Sequence, residues 1–211
     1  NALFTNRGGG TFQEMSDAAG AETGWPWGPS VGDLNADGWP DLFITAGMNY
    51  PLRYKGNDML LNDAGRRFVP AELTLGAEPR RRIVRPWFEL DCDGADQMQD
   101  ICRGEIAPLM TSNTKTPEER GKVAARKGHV TVWAARASRS AVVLDLDGDG
   151  DLDIVTNDYG DVPQILVSDL AQRAKVRSLA VTLVGAKSNR DGLGAVVTVR
   201  AGGRKIGRAH V

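Results

Sequence analysis

The sequence predicts an all-β chain organised as a partial β-propeller, and three observations predict it. One acidic nine-residue loop occurs twice. Each copy is followed by a run of strand-forming residues. The turn-bounded strand pattern recurs at a spacing of about 55 residues. Such a repeat, made of short strands with turn signals, is the length of a four-stranded propeller blade.

The loops come first, because they carry the chemistry. Residues 33–41 (DLNADGWPD) and 145–153 (DLDGDGDLD) share the pattern D-x-[DN]-x-D-G-x-x-D. Oxygen side chains at positions one, three, five and nine converge only if the chain curls tightly, and glycine at position six permits that curl. In the first loop these are Asp33, Asn35, Asp37 and Asp41, with the carbonyl of Trp39 at position seven. In the second they are Asp145, Asp147, Asp149 and Asp153, with the carbonyl of Asp151. Carboxylates so close repel one another, and a hard cation taking about 6–8 oxygen ligands relieves that repulsion. The plainer alternative is a solvated acidic turn, and two copies argue against it. The reading is Ca²⁺ at two sites.

The elements around the loops are strands. An EF-hand needs a glutamate at position twelve and flanking helices. Position twelve is Ile44 in one loop and Thr156 in the other, and DLFIT and DIVT are β-branched and aromatic runs. A dockerin fails on the same residues. Earlier in the chain, NALFTNRGGGTF (residues 1–12) recurs as NDMLLNDAGRRF (residues 57–68), each a strand, an Asn/Gly turn and a Phe. Between the acidic loops, LDCDGADQMQDI (residues 90–101) reads as a damaged third copy. It has one residue too many before Asp96, and Gln97 stands where glycine is expected. Asp91, Asp93 and Asp96 would hold a third Ca²⁺ only if that loop still closes.

Cys92 and Cys102 are the only cysteines, and they flank this middle loop, Cys102 at the start of the strand expected next. A disulfide is the preferred reading over a metal or redox pair, since no C-x-x-C and no nearby His accompanies them. It implies an oxidising compartment outside the cytoplasm. Formal net charge is −1, so no basic excess is available to neutralise phosphates, and no nucleic-acid partner is expected. Arg80, Arg81, Arg82 and Arg85 read as a solvated loop. No apolar run is long enough for a transmembrane helix. No catalytic set is visible: His129 and His210 have no local nucleophilic partner, and no phosphate-binding glycine loop occurs. Trp25 and Trp27 could stack on a sugar but read better as packing between blades. Residues 111–127 read as a polar insertion loop.

Taken together, residues 1–12, the GWPWG of residues 24–28 and residues 33–44 resemble the FG-GAP/VCBS repeat family, seen also in the integrin α-subunit propeller. Residues 177–204, with the core SNRDGLGA, are similar to the ASPIC/UnbV domain, which follows such repeats in secreted bacterial proteins and in the cartilage acidic protein 1 type. The resemblance implies blades over residues 1–172 and the start of a β-sandwich-like domain over 173–211. Bottom-up, that second segment reads as strands at 179–184 and 195–199 around a structural turn at 188–194. About three blades cannot close a ring. The chain is therefore expected to be a piece of a longer protein, with missing blades or partner chains covering its open edges. The functional expectation is a calcium-binding, non-catalytic protein of the cell exterior, cell surface or periplasm that binds protein or glycan. Two alternatives are carried: a structural subunit of an extracellular or envelope assembly, and an accessory domain of a polysaccharide-acting enzyme.

Overall fold

The computed structural model describes residues 2–47, 55–80, 84–103, 127–187 and 189–210. Of the expectations above, residues 111–126, Arg81, Arg82, Asn1 and Ser188 lie outside them.

Apolar and β-branched residues downstream of the first acidic loop make a buried central strand. Strands β3 (Pro26–Gly32), β4 (Asp41–Ala46), β5 (Asp58–Asn62) and β6 (Phe68–Pro70) form one antiparallel sheet in chain order. Along β4 only Leu42 is not fully buried, as suits a strand with sheet on both sides. Ahead of it, β1 (Phe4–Gly8) and β2 (Thr11–Glu14) form a hairpin. This hairpin repeats β5–β6. Met15 N–H donates to Leu3 O at 2.8 Å, and Ala71 N–H donates to Met59 O at 2.8 Å, at the same place in the pattern. The next turn repeats too, through Ala19 N–H to Met15 O and Leu75 N–H to Ala71 O.

After a long excursion the chain makes β9 (Ser138–Leu144), β10 (Asp153–Asp158) and β11 (Gln164–Leu166), again antiparallel in order. This sheet stacks directly on the first. Ser30 Oγ on β3 donates to Ala141 O on β9 at 2.7 Å. A Cβ at Gly32 would stand 2.7 Å from Val143 Cγ1, so only glycine allows this approach. Leu34, Phe43, Met59, Ala77 and Ile154 are buried between the two sheets, with Val143 and Leu152 packed against them.

The excursion corrects the expected middle repeat. The Asp91 loop does not join two strands of a blade; it leads into a single helical turn, α1 (Asp100–Arg103), and Cys102 sits in that turn. Strand β7 (Val84–Asp91) pairs with β8 (His129–Ala135) as a two-stranded hairpin. Its core is its own: Leu90, Cys92, Cys102 and Val132, with Trp87 and Val130. The Cys92–Cys102 disulfide forms, with Cα atoms 5.3 Å apart. Among the described residues this hairpin joins neither the β3–β6 sheet nor the β9–β11 sheet.

The C-terminal segment also differs. Residues 179–184 form no strand. Strand β12 (Val196–Ala201) pairs with β13 (Arg204–His210) across Gly202-Gly203, whose φ values of 57° and 78° suit a two-residue hairpin turn. Asn189 closes the preceding turn with both ends of its amide, on Leu193 N–H and Leu193 O. A short helix, α2 (Leu170–Arg173), leads out of the β11 sheet.

A buried polar node locks the stacked sheets at the ends away from the acidic loops. Arg80 donates to Ser138 Oγ at 2.6 Å and pairs with Asp158 at 3.3 Å and Glu78 at 3.4 Å. Glu78 accepts from Asn57 N–H, and the Asn57 amide donates to Ser138 Oγ. All five side chains are buried.

Arg80→Met leaves two buried carboxylates without their cation. It should cost about 3–5 kcal/mol, read as a lower urea midpoint. Asp58 gives a pH signature. Burial raises its pKa, and the Lys55 ammonium at 2.7 Å only partly offsets this. Its folded pKa lies above its unfolded one, so its stabilising contribution is full below the ordinary carboxylate range and is lost as pH rises through the raised value. Asp58→Asn should therefore flatten the dependence of melting temperature on pH across that acid window.

Candidate metal centre

Both acidic loops fold as the same curl. Gly38 and Gly150, at position six, have φ of 92° and 97°. Position four is also left-handed, at Ala36 (57°) and Gly148 (80°). Backbone N–H groups hold the carboxylates inward. Asp33 accepts from Asp37 N–H at 3.0 Å and Gly38 N–H at 2.8 Å, and Asp37 accepts from Trp39 N–H at 2.8 Å. In the second loop Asp145 accepts from Gly148 and Gly150, and Asp149 accepts from Asp151 N–H at 3.1 Å.

The result is convergence. Asp145, Asp147 and Asp149 each bring an oxygen within 4.8 Å of the others. The Asp151 N–H pulls the Asp149 pKa down, but desolvation and the charges of Asp147, Asp151 and Asp145 outweigh it and leave the pKa raised. That repulsion among oxygen-only donors is what a hard divalent cation relieves, so the residues fit Ca²⁺. In the first loop Asn35 replaces one carboxylate, and its amide donates to Asp37 Oδ2 at 2.9 Å. That loop carries less negative charge for the same backbone.

Position nine does more than the spacing foretold. Asp41 is 0% exposed and Asp153 1%. Asp41 Oδ2 accepts from Leu34 N–H at 2.8 Å and Oδ1 from Asn62 N–H at 2.7 Å. Asp153 copies this with Leu146 N–H and Ser168 N–H, both at 2.8 Å. Each carboxylate ties its loop to the end of the third strand. Burial raises the Asp41 pKa, the Asn62 and Leu34 N–H groups lower it, and Asp37 and Asp33 raise it, for a net rise.

Asp151 was singled out for its carbonyl alone. Its side chain is 3% exposed; Oδ2 accepts from Ala171 N–H at 2.7 Å, and Oδ1 is buried without a hydrogen-bond partner. At the same position Trp39 instead lays its ring against the turn at Gly65. The middle loop is arranged differently. Asp96 accepts from Asp91 N–H and Asp93 from Gly128 N–H, so these carboxylates close turns in separate directions. Among the described residues they form no convergent group.

Sequence reasoning missed a contact at the other ends of the strands. The Arg139 guanidinium lies 4.0 Å from the Trp27 ring centroid and 4.9 Å from that of Tyr159. No local pattern announces it, since Trp27 comes from one repeat and Arg139 and Tyr159 from another.

Residues 1–44 match the FG-GAP-like repeat and residues 25–66 match the FG-GAP repeat. This part of the chain is FG-GAP repeat sequence. The matched stretch holds the first acidic loop and strands β3, β4 and β5 of the first sheet, and such repeats are consistent with a β-propeller. No curated protein and no solved structure matches the chain. No helix of the described residues is long and apolar enough to cross a membrane.

Asp153→Ala removes the buried acceptor of two backbone N–H groups. It should destabilise the fold by about 3 kcal/mol with or without calcium, seen in chemical denaturation. Asp147→Asn, at an exposed ligand position, should leave the calcium-free fold unchanged.

Proposed function

We propose that this chain is a calcium-stabilised, non-catalytic recognition module of an extracellular, cell-surface or periplasmic protein. In this reading residues 1–172 are propeller blades, and residues 173–211 begin an ASPIC/UnbV-like β domain. The supporting observation is the convergence of Asp145, Asp147 and Asp149 on a backbone repeated at residues 33–41. Bound Ca²⁺ would cross-link the loop, and position nine would pass that order to the third strand. The rims of the sheets are then held rigid for a protein or glycan ligand. The disulfide agrees with an oxidising exterior.

A second reading, a subunit of a larger assembly, has its own support. An apolar groove of about 540 Å³ lies between β3–β4 and the β1 end, lined by Leu3, Ala21, Pro26, Val31, Leu42 and Ile44. Light scattering of the purified chain decides this: a monomer at micromolar concentration removes the assembly reading.

The calcium reading is tested by melting the chain in Ca²⁺ and in EGTA, with stoichiometry from calorimetry. Two ions should bind, raising stability by about 2.7 kcal/mol per site at a hundredfold excess over Kd. The second loop has more carboxylates, so it should fill first. Asp147→Asn should weaken the tighter site and Asp37→Asn the weaker one. No shift and no binding would sink the proposal.

A further inference from the structure

We propose that Trp25, Trp27 and Arg139 form a binding site for an acidic saccharide, the guanidinium taking a carboxylate or sulfate and the indole faces taking the sugar ring. This deepens the recognition reading above and rests on it for the class of function.

The site lies at the opposite ends of the strands from the acidic loops. Trp25 and Trp27 stand at the start of β3 and Arg139 at the start of β9; Gly47 and Tyr159 follow the ends of β4 and β10. Exposed carboxylates converge at one rim, and Arg85, Arg136 and Arg139 lie near the other, where Glu78 and Asp158 are buried against Arg80 and Asp161 pairs with Arg136.

Arg139 is held for use. Its guanidinium is flanked by the rings of Trp27 and Tyr159, and its Nη1 donates to Gly47 O at 3.3 Å and Ser138 O at 3.4 Å. Trp27 Nε1 donates to the same Gly47 O at 2.8 Å, which fixes that ring. The Nε–Nη2 edge has no partner among the described residues. That edge is the planar fork that receives a carboxylate or sulfate through two parallel hydrogen bonds. Asp161 pairs with Arg136 at 3.1 Å.

The aromatic residues point to a sugar. Trp25 is 59% exposed and Trp27 55% exposed. Trp25 also adopts a φ of 50°, a conformation bulky side chains avoid. A strained backbone that leaves an indole in water is not explained by packing, and such strain gathers at ligand sites. Flat, rigid, amphipathic rings suit the C–H face of a pyranose. An acidic peptide could use Arg139, but it would have no need of Trp25.

The test is calorimetry on the calcium-loaded chain with four probes: an oligogalacturonate, a sulfated oligosaccharide, a neutral cello-oligosaccharide and a glutamate-rich peptide. One or both acidic saccharides should bind and shift tryptophan fluorescence, and the two arms tell carboxylate from sulfate. Trp25→Ala and Arg139→Gln should each weaken binding about tenfold or more. Arg139→Lys, which keeps charge but loses the fork, should fall between and carries the test if Arg139→Gln does not fold. Equal binding of the neutral sugar, binding of the peptide alone, or no effect of Trp25→Ala overturns the site. So does binding lost in Asp147→Asn but kept in Trp25→Ala, which would place the sugar on the calcium rim. A folded, calcium-loaded protein that binds none of the probes overturns this inference and leaves the calcium reading standing.

Discussion

The buried carboxylate at position nine is the constraint on which the repeat depends. Asp41 and Asp153 each accept one N–H from the acidic loop and one from the end of the third strand. A buried anion without such donors would be costly, so the loop cannot open without stranding the charge. One side chain thereby sets the curl, the start of the second strand and the position of the third. The oxygens at positions one, three and five, the candidates for an ion, lie outside this lock on exposed backbone that the lock has already shaped.

A second constraint works at the far end of the sheets. Glu78 and Arg80 follow the last strand of one repeat, while Ser138 and Asp158 belong to the next. Their node closes the two sheets against each other, as the Gly32 approach closes them along β3 and β9. The chain between Arg80 and Ser138 is free to vary, because both ends of the excursion are anchored in this node. The hairpin in that excursion has its own disulfide and its own small core, and Arg85 ties it to the β10 end through Tyr159 O.

The geometry divides the molecule chemically. Carboxylates gather where β3 turns into β4 and β9 into β10. Arg139 and the rings of Trp27 and Tyr159 gather at the opposite ends of those strands, beside the buried Arg80, Glu78 and Asp158.

Much was legible in the sequence. The β-branched and aromatic run after each acidic loop, the glycine at position six and the recurrence of residues 1–12 at 57–68 are local, and local chemistry settles them. The disulfide was legible as well, since ten residues of separation allow few other outcomes. The Asp91 loop misled because acidic turns of similar spelling occur in any tight turn; whether a strand or a helical turn follows depends on where Cys102 is pulled. The strand expected at 179–184 failed because ladder partners are chosen in space, and the Gly202-Gly203 turn supplied β12 with a closer one. Arg139 between Trp27 and Tyr159, and Arg80 among Glu78, Asp158 and Ser138, were invisible for the same reason. By itself the sequence determined the β class and the two curled loops, because a turn and its neighbours interact through a few bonds of chain. Only the tertiary structure decided which repeats are neighbours and which charges meet, because those contacts join residues far apart in the chain that only the packing of whole sheets brings together.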